Sequence, residues 1–534
     1  MGLRDRIANL FRNSDPAPSK PTGRRSNFFA SIGNGGFQGA KVDRLTQDWQ
    51  PGNAGPNTIH RADGGLLRDR SRDLAINNPF AKSAISAYVS NVNECGIFPK
   101  PLFEDAGIRK AWVDGWENYG AAEADITGMQ SVYELASLWL EEVLVGGGCL
   151  AHFVELPPSL DRRIPLAVEL IPEERFADDQ DDYVLFHNRR KSGNQIFRGI
   201  EIDSRTGRPL RYWIRPTHPN DLGASFTEPI GIEAKDCHYA FFKKRIGQYR
   251  GVTMLYAAIM WLWKLGYYTD NELMASAIKS CFAAIITTDD DQDFNGLEDA
   301  GSESTDVWLN SLEKLSPGIV ARLRKGEGVT GVGPNVPVGD ALAWLIFIER
   351  AIGIAMDLSY EELIRDYSQG NFSSTRASAN ADRKRFKPMQ QFAINHFYQP
   401  LYRRFAASAS RAGIEGFPRP ATLLGDLDNW LRVSWQAPGW MSVTPLDDAR
   451  ANEIELKNGT ATHASIAASR GEDWEENYEQ IDREEQLADK LELSFSAAVA
   501  EETMLAESQA SAEAKAATQK TTKPTAKPTK GAKK

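Results

Sequence analysis

Residues 357–376 read Asp357-Leu-Ser-Tyr-Glu-Glu-Leu-Ile-Arg-Asp-Tyr-Ser-Gln-Gly-Asn-Phe-Ser-Ser-Thr-Arg376. Upstream, Val338 to Met356 repeats apolar residues at helical spacing: Leu342, Leu345, Ile346, Ile348, Ile352 and Ile354. The stretch from Tyr367 to Ser374 holds Ser-Gln-Gly-Asn, a cluster that breaks helices and admits left-handed backbone. Ser373, Ser374 and Thr375 are candidate caps for a second helix, whose N-terminal half carries Arg376, Arg383, Lys384, Arg385 and Lys387. The expected unit is helix, loop, helix. Such a unit presents a loop; it does not enclose a substrate.

Outward from this unit, the chain alternates helical and strand-like patterns. Residues 1–64 are polar and rich in Asn, Gly, Arg and Pro, and read as a mobile arm or plain disorder. Leu66 to Asn93 reads as helix broken at Asn77-Asn78-Pro79, where proline starts a second segment. Ile108 to Trp116 and Ser131 to Val145 read as further helices. Short alternating runs follow at Leu150–Glu155, Ala167–Ile171, Gln195–Ile202 and Leu210–Ile214, with a polar turn at Asp203–Gly207. They predict antiparallel β-structure. Val252 to Ile285 reads as a long helix whose apolar width exceeds one face, either a packed core helix or one that also meets a neighbouring copy. Residues 287–337 are acidic at first and then turn-rich; helix resumes through Asn395 to Ala412 and across 440–500. Lys515 to Lys534 has seven lysines and no acid, and reads as a disordered tail that brushes nucleic acid or merely solvates.

Composition narrows the classes. A chain of 534 residues with 42% hydrophobic and 25% charged residues buries sizeable cores. It holds no run of about eighteen apolar residues, so no membrane span is expected. Cys95, Cys149, Cys237 and Cys281 lie far apart and read as reduced structural thiols.

Motifs that resemble catalytic or metal sites lack their required context. Gly326-Glu-Gly-Val-Thr-Gly331 matches GxGxxG, but Pro334 and Pro337 oppose the helix that a dinucleotide site opens. Asp291-Gln-Asp-Phe-Asn-Gly296 begins like a calcium loop, yet Ser302 occupies the position that demands a bidentate glutamate. There is no phosphate-binding GxxxxGK[ST] loop, and the seven histidines lack metal-ligand spacing. Neither a catalytic residue, a metal site nor a cofactor is expected.

The central stretch nonetheless has a likeness. Leu358-Ser-Tyr-Glu-Glu-Leu followed by Asp366-Tyr-Ser-Gln-Gly-Asn-Phe-Ser-Ser-Thr-Arg-Ala-Ser resembles the signature of lambda-like bacteriophage portal proteins. Arg68–Ala81, Trp435-Gln-Ala-Pro-Gly, Asp447–Glu453 and Ser469–Trp474 resemble further blocks of that family, in the same order. Phe372 stands where the family more often has Tyr, and Gln369 where it has a small residue.

The resemblance implies an α+β, mainly helical protomer with wing, stem, clip and crown that assembles into a ring. It divides the chain into a wing at 65–250, a first stem helix at 251–286, a clip at 287–337 and a second stem helix at 338–356. A tunnel-loop region at 357–374, wing and crown helices at 375–439, a crown at 440–500 and the tail at 501–534 complete it. The channel-facing residues would be Asp366, Tyr367, Ser368, Gln369, Gly370, Asn371 and Phe372. Arg376, Arg383, Lys384, Arg385 and Lys387 would touch phosphates, or else form salt bridges with Asp382, Glu361, Glu362 or a neighbour. Asp289, Asp290, Asp291 and Asp293 would form a docking surface on the clip.

The implied role is a non-enzymatic, twelve-fold ring in the virion, assembled in the host cytoplasm, with double-stranded DNA in its channel. Its implied partners are the terminase, the major capsid protein or scaffold, and head–tail adaptors. A net charge of −10 suits a conduit, because a strongly basic wall would pin each phosphate. A packaging nuclease or ATPase would need a nucleotide loop or carboxylate cluster that the sequence lacks. A minor capsid or scaffolding protein without a channel is the other alternative.

Overall fold

The computed structural model describes residues 44, 48, 51–159, 162–181, 194–221, 228–287, 319–323, 338–368, 370–440 and 444–491. The calcium-loop-like segment, the GxGxxG match, Asp289, Asp290, Asp291, Asp293, Gln369 and the lysine-rich segment 515–534 lie outside them.

The first helix, α1 (Pro56–Asn77), begins ten residues ahead of the expected start at Leu66. His60 and Gly64 are among its buried residues, so packing extends it through a stretch whose composition reads as loop. Asn78 accepts from the Phe80 and Ala81 amides and starts α2 (Pro79–Val92), as the Asn-Asn-Pro step predicts. Strand β1 (Phe98–Pro101), α3 (Ala106–Asn118), a π-helical turn at Tyr119–Glu123 and α4 (Val132–Val145) follow. Ser131 and Glu134 close a reciprocal capping box on α4.

The β-rich part holds two antiparallel sheets. Strands β2 (Gly148–Val154), β3 (Ala167–Pro172) and β8 (Cys237–Phe241) form one, in the order β3-β2-β8. Strands β4 (Gln195–Phe197), β5 (Ile200–Ile202), β6 (Pro209–Ile214) and β7 (Ile230–Glu233) form the other, in sequence order. The run expected as one strand from Gln195 to Ile202 is therefore a hairpin. Phe197 pairs with Ile200 around Arg198 (φ 42°) and Gly199 (φ 82°), the two left-handed residues that a tight hairpin turn requires.

After a 3-10 turn at Met254–Ala257, helix α5 runs only from Ile259 to Cys281, shorter than the Val252–Ile285 helix expected. The chain leaves it into β9 (Phe282–Thr287), whose Ile-Ile-Thr ending favours extended backbone. Strand β10 (Ile319–Leu323) pairs with β9 in parallel, a contact that nothing in the sequence announces.

Helix α6 (Val338–Ala355), short α7 (Tyr360–Ile364) and α8 (Phe372–Ala393) make the central unit. A π-turn at Ile394–Tyr398 joins α8 to α9 (Gln399–Ala412). Then come α10 (Pro420–Gly425), α11 (Leu427–Trp430), β11 (Val433–Gln436) paired antiparallel with β1, α12 (Pro445–Asn458), α13 (His463–Arg470) and α14 (Trp474–Lys490). The class is α+β and mainly helical, as expected.

The main core packs α2, α3, α4, α8 and α9 around a cluster of rings. Trp112 stacks on Phe417 with centroids 4.5 Å apart, and Trp116 meets Phe405 edge-on at 5.2 Å. A smaller core, including Ile171, Phe176, Ile200, Tyr212 and Ile214, fills the space between the two sheets. Arg250 spans their junction: it lies 4.5 Å above the Phe176 ring and donates to Asp178 Oδ1 at 3.0 Å.

Candidate nucleic-acid interface

The loop predicted between two helices is shorter and better braced than the sequence implies. Helix α7 occupies Tyr360–Ile364, inside the expected loop, and α8 starts at Phe372. The α8 cap is Asn371, whose side-chain oxygen accepts from the Ser374 amide, while the Asn371 amide donates to the Ser374 hydroxyl oxygen. Ser373 and Thr375 are not the cap; Asn is among the strongest N-cap residues and precedes them. Among the described residues of the turn between α7 and α8, Arg365, Tyr367, Ser368 and Asn371 are thus exposed.

Four contacts fix its base. Tyr88 of α2 donates its hydroxyl to the Met356 carbonyl at 2.7 Å, and Ser83 donates to the Leu363 carbonyl at 2.7 Å. Asn91 donates to Glu362 at 3.1 Å. The Ser359 amide donates to Asp382 Oδ1 at 3.0 Å, and its hydroxyl donates to Oδ2. Helix α7 is therefore clamped between α2 and α8. Asp357 and Arg365, at φ 58° and 60°, turn the chain into and out of it.

Burial lifts the carboxyls of Asp382 and Glu362 above their ordinary range, since a charge there loses hydration. Asp366 behaves oppositely: hydrogen bonds from Ser368 hold its carboxyl down.

Beyond this base, the tip exposes two aromatic rings, Tyr367 (53% exposed) and Phe372 (58%). The five cations expected to meet phosphates do not act as a set. Arg376 pairs with Asp448 at 2.9 Å and Arg385 with Asp357, while Arg383 lies 5.9 Å over the Trp440 ring. Lys384 and Lys387 remain exposed, with no ion pair among the described residues. The salt-bridge partners are thus Asp448 and Asp357, neither of which sequence proximity singled out. Sequence reasoning also passed over Arg365, which is exposed at the start of the turn. Its signal was a cation at the first position after α7.

Other expected features assemble differently. His238 and His396, scattered in sequence, meet at 3.0 Å between Nε2 and Nδ1. Burial pushes His238 down to about 4 and lowers His396, so both are neutral near pH 7. Among the described residues no three metal-ligating side chains converge, and no helix is long and apolar enough to cross a membrane.

Helices α5 and α6 carry a different signal. Trp263, Tyr267, Leu273 and Met274 on α5 are exposed, as are Leu342, Trp344, Phe347 and Ile354 on α6. Large apolar side chains concentrated on adjacent helices are what a protein–protein contact requires.

A comparison with protein families matches residues 42–390 to the phage portal protein family of the lambda type. The chain belongs to the lambda portal family. The family match covers the helix–loop–helix unit, both antiparallel sheets and the two exposed apolar helices. Relatives agree. The chain is 24% identical over 502 residues to the probable portal protein of Halomonas phage phiHAP-1, covering 90% of this chain and 92% of that one. It is 24% identical over 340 residues to portal protein B of Escherichia phage lambda, covering 58% and 62%. The neck of a native gene transfer agent particle, solved with C12 symmetry, matches 77% of this chain and 98% of its own at 12% identity, with a TM-score of 0.34.

Proposed function

We propose that this portal-family chain is the subunit of a closed ring that forms the DNA channel at one capsid vertex. In this reading α5 and α6 are the stem helices, and residues 365–372 face the channel. The observation that carries it is the exposure of large apolar side chains on α5 and α6. Leaving them in water costs about 1.5–3 kcal/mol for each fully buried equivalent, a cost that contact with a neighbouring copy removes. A head-to-tail contact repeated around an axis closes such faces without leaving ends.

The loop suits sliding contact better than tight grip. Three of five nearby cations are engaged within the chain, which leaves Arg365, Lys384 and Lys387 as sparse points of phosphate attraction. Tyr367 and Phe372 add steric bulk without charge. The ring would nucleate head assembly, pass DNA inward, retain it and release it. It would dock the terminase and later head–tail adaptors through residues 287–337, with Asp289, Asp290, Asp291 and Asp293 as an acidic surface. The capsid protein or scaffold would surround it in the virion.

Electron microscopy of the purified protein, with particle mass measured in parallel, tests the assembly. Closed rings with a hole wide enough for duplex DNA are expected, and Trp263→Glu with Trp344→Glu should abolish them without unfolding the subunit. Irregular or filamentous assemblies without a hole would favour a capsid protein that has no channel.

A further inference from the structure

Helix α14 is solvated along its whole length: none of its residues is buried. It carries seven acids, Glu475, Glu476, Glu479, Asp482, Glu484, Glu485 and Asp489, against Arg483 and Lys490. Arg109 pairs with Glu475 and Arg483 with Glu479. Glu476, Asp482, Glu484, Glu485 and Asp489 form no ion pair among the described residues. Several of the acids stand three or four positions apart, such as Asp482 with Glu485 and Glu485 with Asp489, a spacing at which like charges weaken a helix. On the same helix Trp474, Tyr478 and Ile481 are exposed, and Tyr478 and Ile481 line a groove shared with Leu456 of α12 and Ile466 of α13. At helical spacing Asp482, Glu485 and Asp489 line up beside Tyr478 and Ile481, while Glu476 and Glu484 point elsewhere, so one face is acidic, partly apolar and uncovered.

The chain itself contains the complementary charge. Residues 515–534 hold seven lysines and no acid. We infer that this lysine-rich segment docks on the acidic face of α14 of its own chain. Length permits it. The helix has 17 residues, about 25 Å at 1.5 Å per residue. The 24 residues 491–514 between them reach about 80 Å if fully extended, several times the spacing needed. A connection of that length keeps the lysines within reach of the helix of their own chain. Lysine stems lying along Trp474, Tyr478 and Ile481 would cover apolar surface while their ammonium groups reach the carboxylates.

Zero-length carbodiimide cross-linking of the unaltered full chain, read by mass spectrometry, tests this at about 50 mM salt. Links from Lys515, Lys520, Lys523, Lys527 or Lys530 are expected to fall on Asp482, Glu485 and Asp489 more than on Glu476 and Glu484. These should exceed links to the five acids within 491–514 several-fold. Raising salt to about 0.5 M should cut them at least tenfold, because the screening length drops to a few ångströms. Protein assembled from equal parts ¹⁴N and ¹⁵N chains should give links between peptides of one isotope only. Links spread evenly over the surface acids, a preference for residues 491–514, or salt-insensitive links would overturn the inference. Mixed-isotope links would assign the docking to a neighbouring copy and overturn its intramolecular form.

Discussion

Arg250 donates through Nη2 to both the backbone carbonyl and the side-chain Oε2 of Glu173, each at 3.1 Å, and neither side chain is more than 1% exposed. The same guanidinium reaches Asp178 and the Arg198 carbonyl through Nη1, tying together the two sheets. Glu173 also accepts from Arg68 at 3.3 Å and from the Gly251 amide at 3.2 Å. Each charge is buried but multiply bonded, so its worth lies in what its loss leaves behind. Arg250→Ala should cost about 3–5 kcal/mol, the usual penalty for stranding a buried charge. Arg250→Lys should recover little, because one ammonium cannot span Glu173 and Asp178 as the planar fork does. Urea unfolding measures both, and a cost below about 1 kcal/mol for the alanine variant would remove the network from the account of stability.

The Asp382 carboxylate bears on the loop directly. Asp382→Ala leaves the Ser359 amide and hydroxyl without their acceptor and should destabilise by about 1–3 kcal/mol. Asp382→Asn keeps one acceptor oxygen and should cost less. Burial raises the folded pKa of this group above its ordinary 3.8, so the folded chain binds the proton more tightly than the unfolded one. Its contribution is therefore largest at low pH and is lost as pH rises through the raised value. Denaturation midpoints of Asp382→Asn should lack that part of the pH dependence; an unchanged profile would rule the group out.

Histidine works in the other direction. His60 is buried, and its Nδ1 lies 3.2 Å from Arg198 Nη1, which is always a donor, so the ring must accept there. Burial, with Arg250 and Arg198 adding to it, pushes His60 down to about 4 despite the opposing Glu173. A depressed folded pKa means stability that is complete above about 6.5 and drains away as pH falls toward 4. His238, also near 4, adds to the same window. His60→Asn, which keeps an acceptor near the Nδ1 position, should flatten the slope of unfolding free energy between pH 6.5 and 4. Equal slopes for variant and parent would mean that other groups set the acid limit.

Gly199 tests the hairpin. Its φ is 82°, and an added Cβ would meet the Ala177 nitrogen at 3.0 Å and the Trp213 carbonyl oxygen at 3.1 Å. Both neighbours are backbone and cannot swing aside. Gly199→Ala should therefore cost about 1–2 kcal/mol from the left-handed backbone alone, with the close contacts adding to it. A melting temperature within a degree of the parent would show that the turn relaxes freely.

Much of the fold was legible because local rules and packing agree there. Asn78-Pro79 opens α2, Ser131 and Glu134 cap α4, and the alternating runs at 150–155, 167–171 and 210–214 are strands. The central unit was legible as two helices with a polar connection. Its bracing was not, because Tyr88, Ser83 and Asn91 come from more than 260 residues away. For the same reason charge density on α8 overstated its free cations: Asp448 and Asp357 reach Arg376 and Arg385 only in the folded chain. The parallel pairing of β9 with β10 has no local signature, since each strand alone is a short apolar run.

From Phe372 to Ala412 the backbone stays helical through α8, the π-turn and α9. That is a strut roughly 60 Å long at 1.5 Å per residue. One end begins at the exposed turn; toward the other, Tyr402 and Phe405 pack among Trp116 and Trp435. A push on the turn along this axis is therefore carried as compression into the aromatic core around Trp116 and Trp435. If the rod yields, it has two built-in places to bend: Pro388 inside α8, and the π-turn that His238 touches through His396.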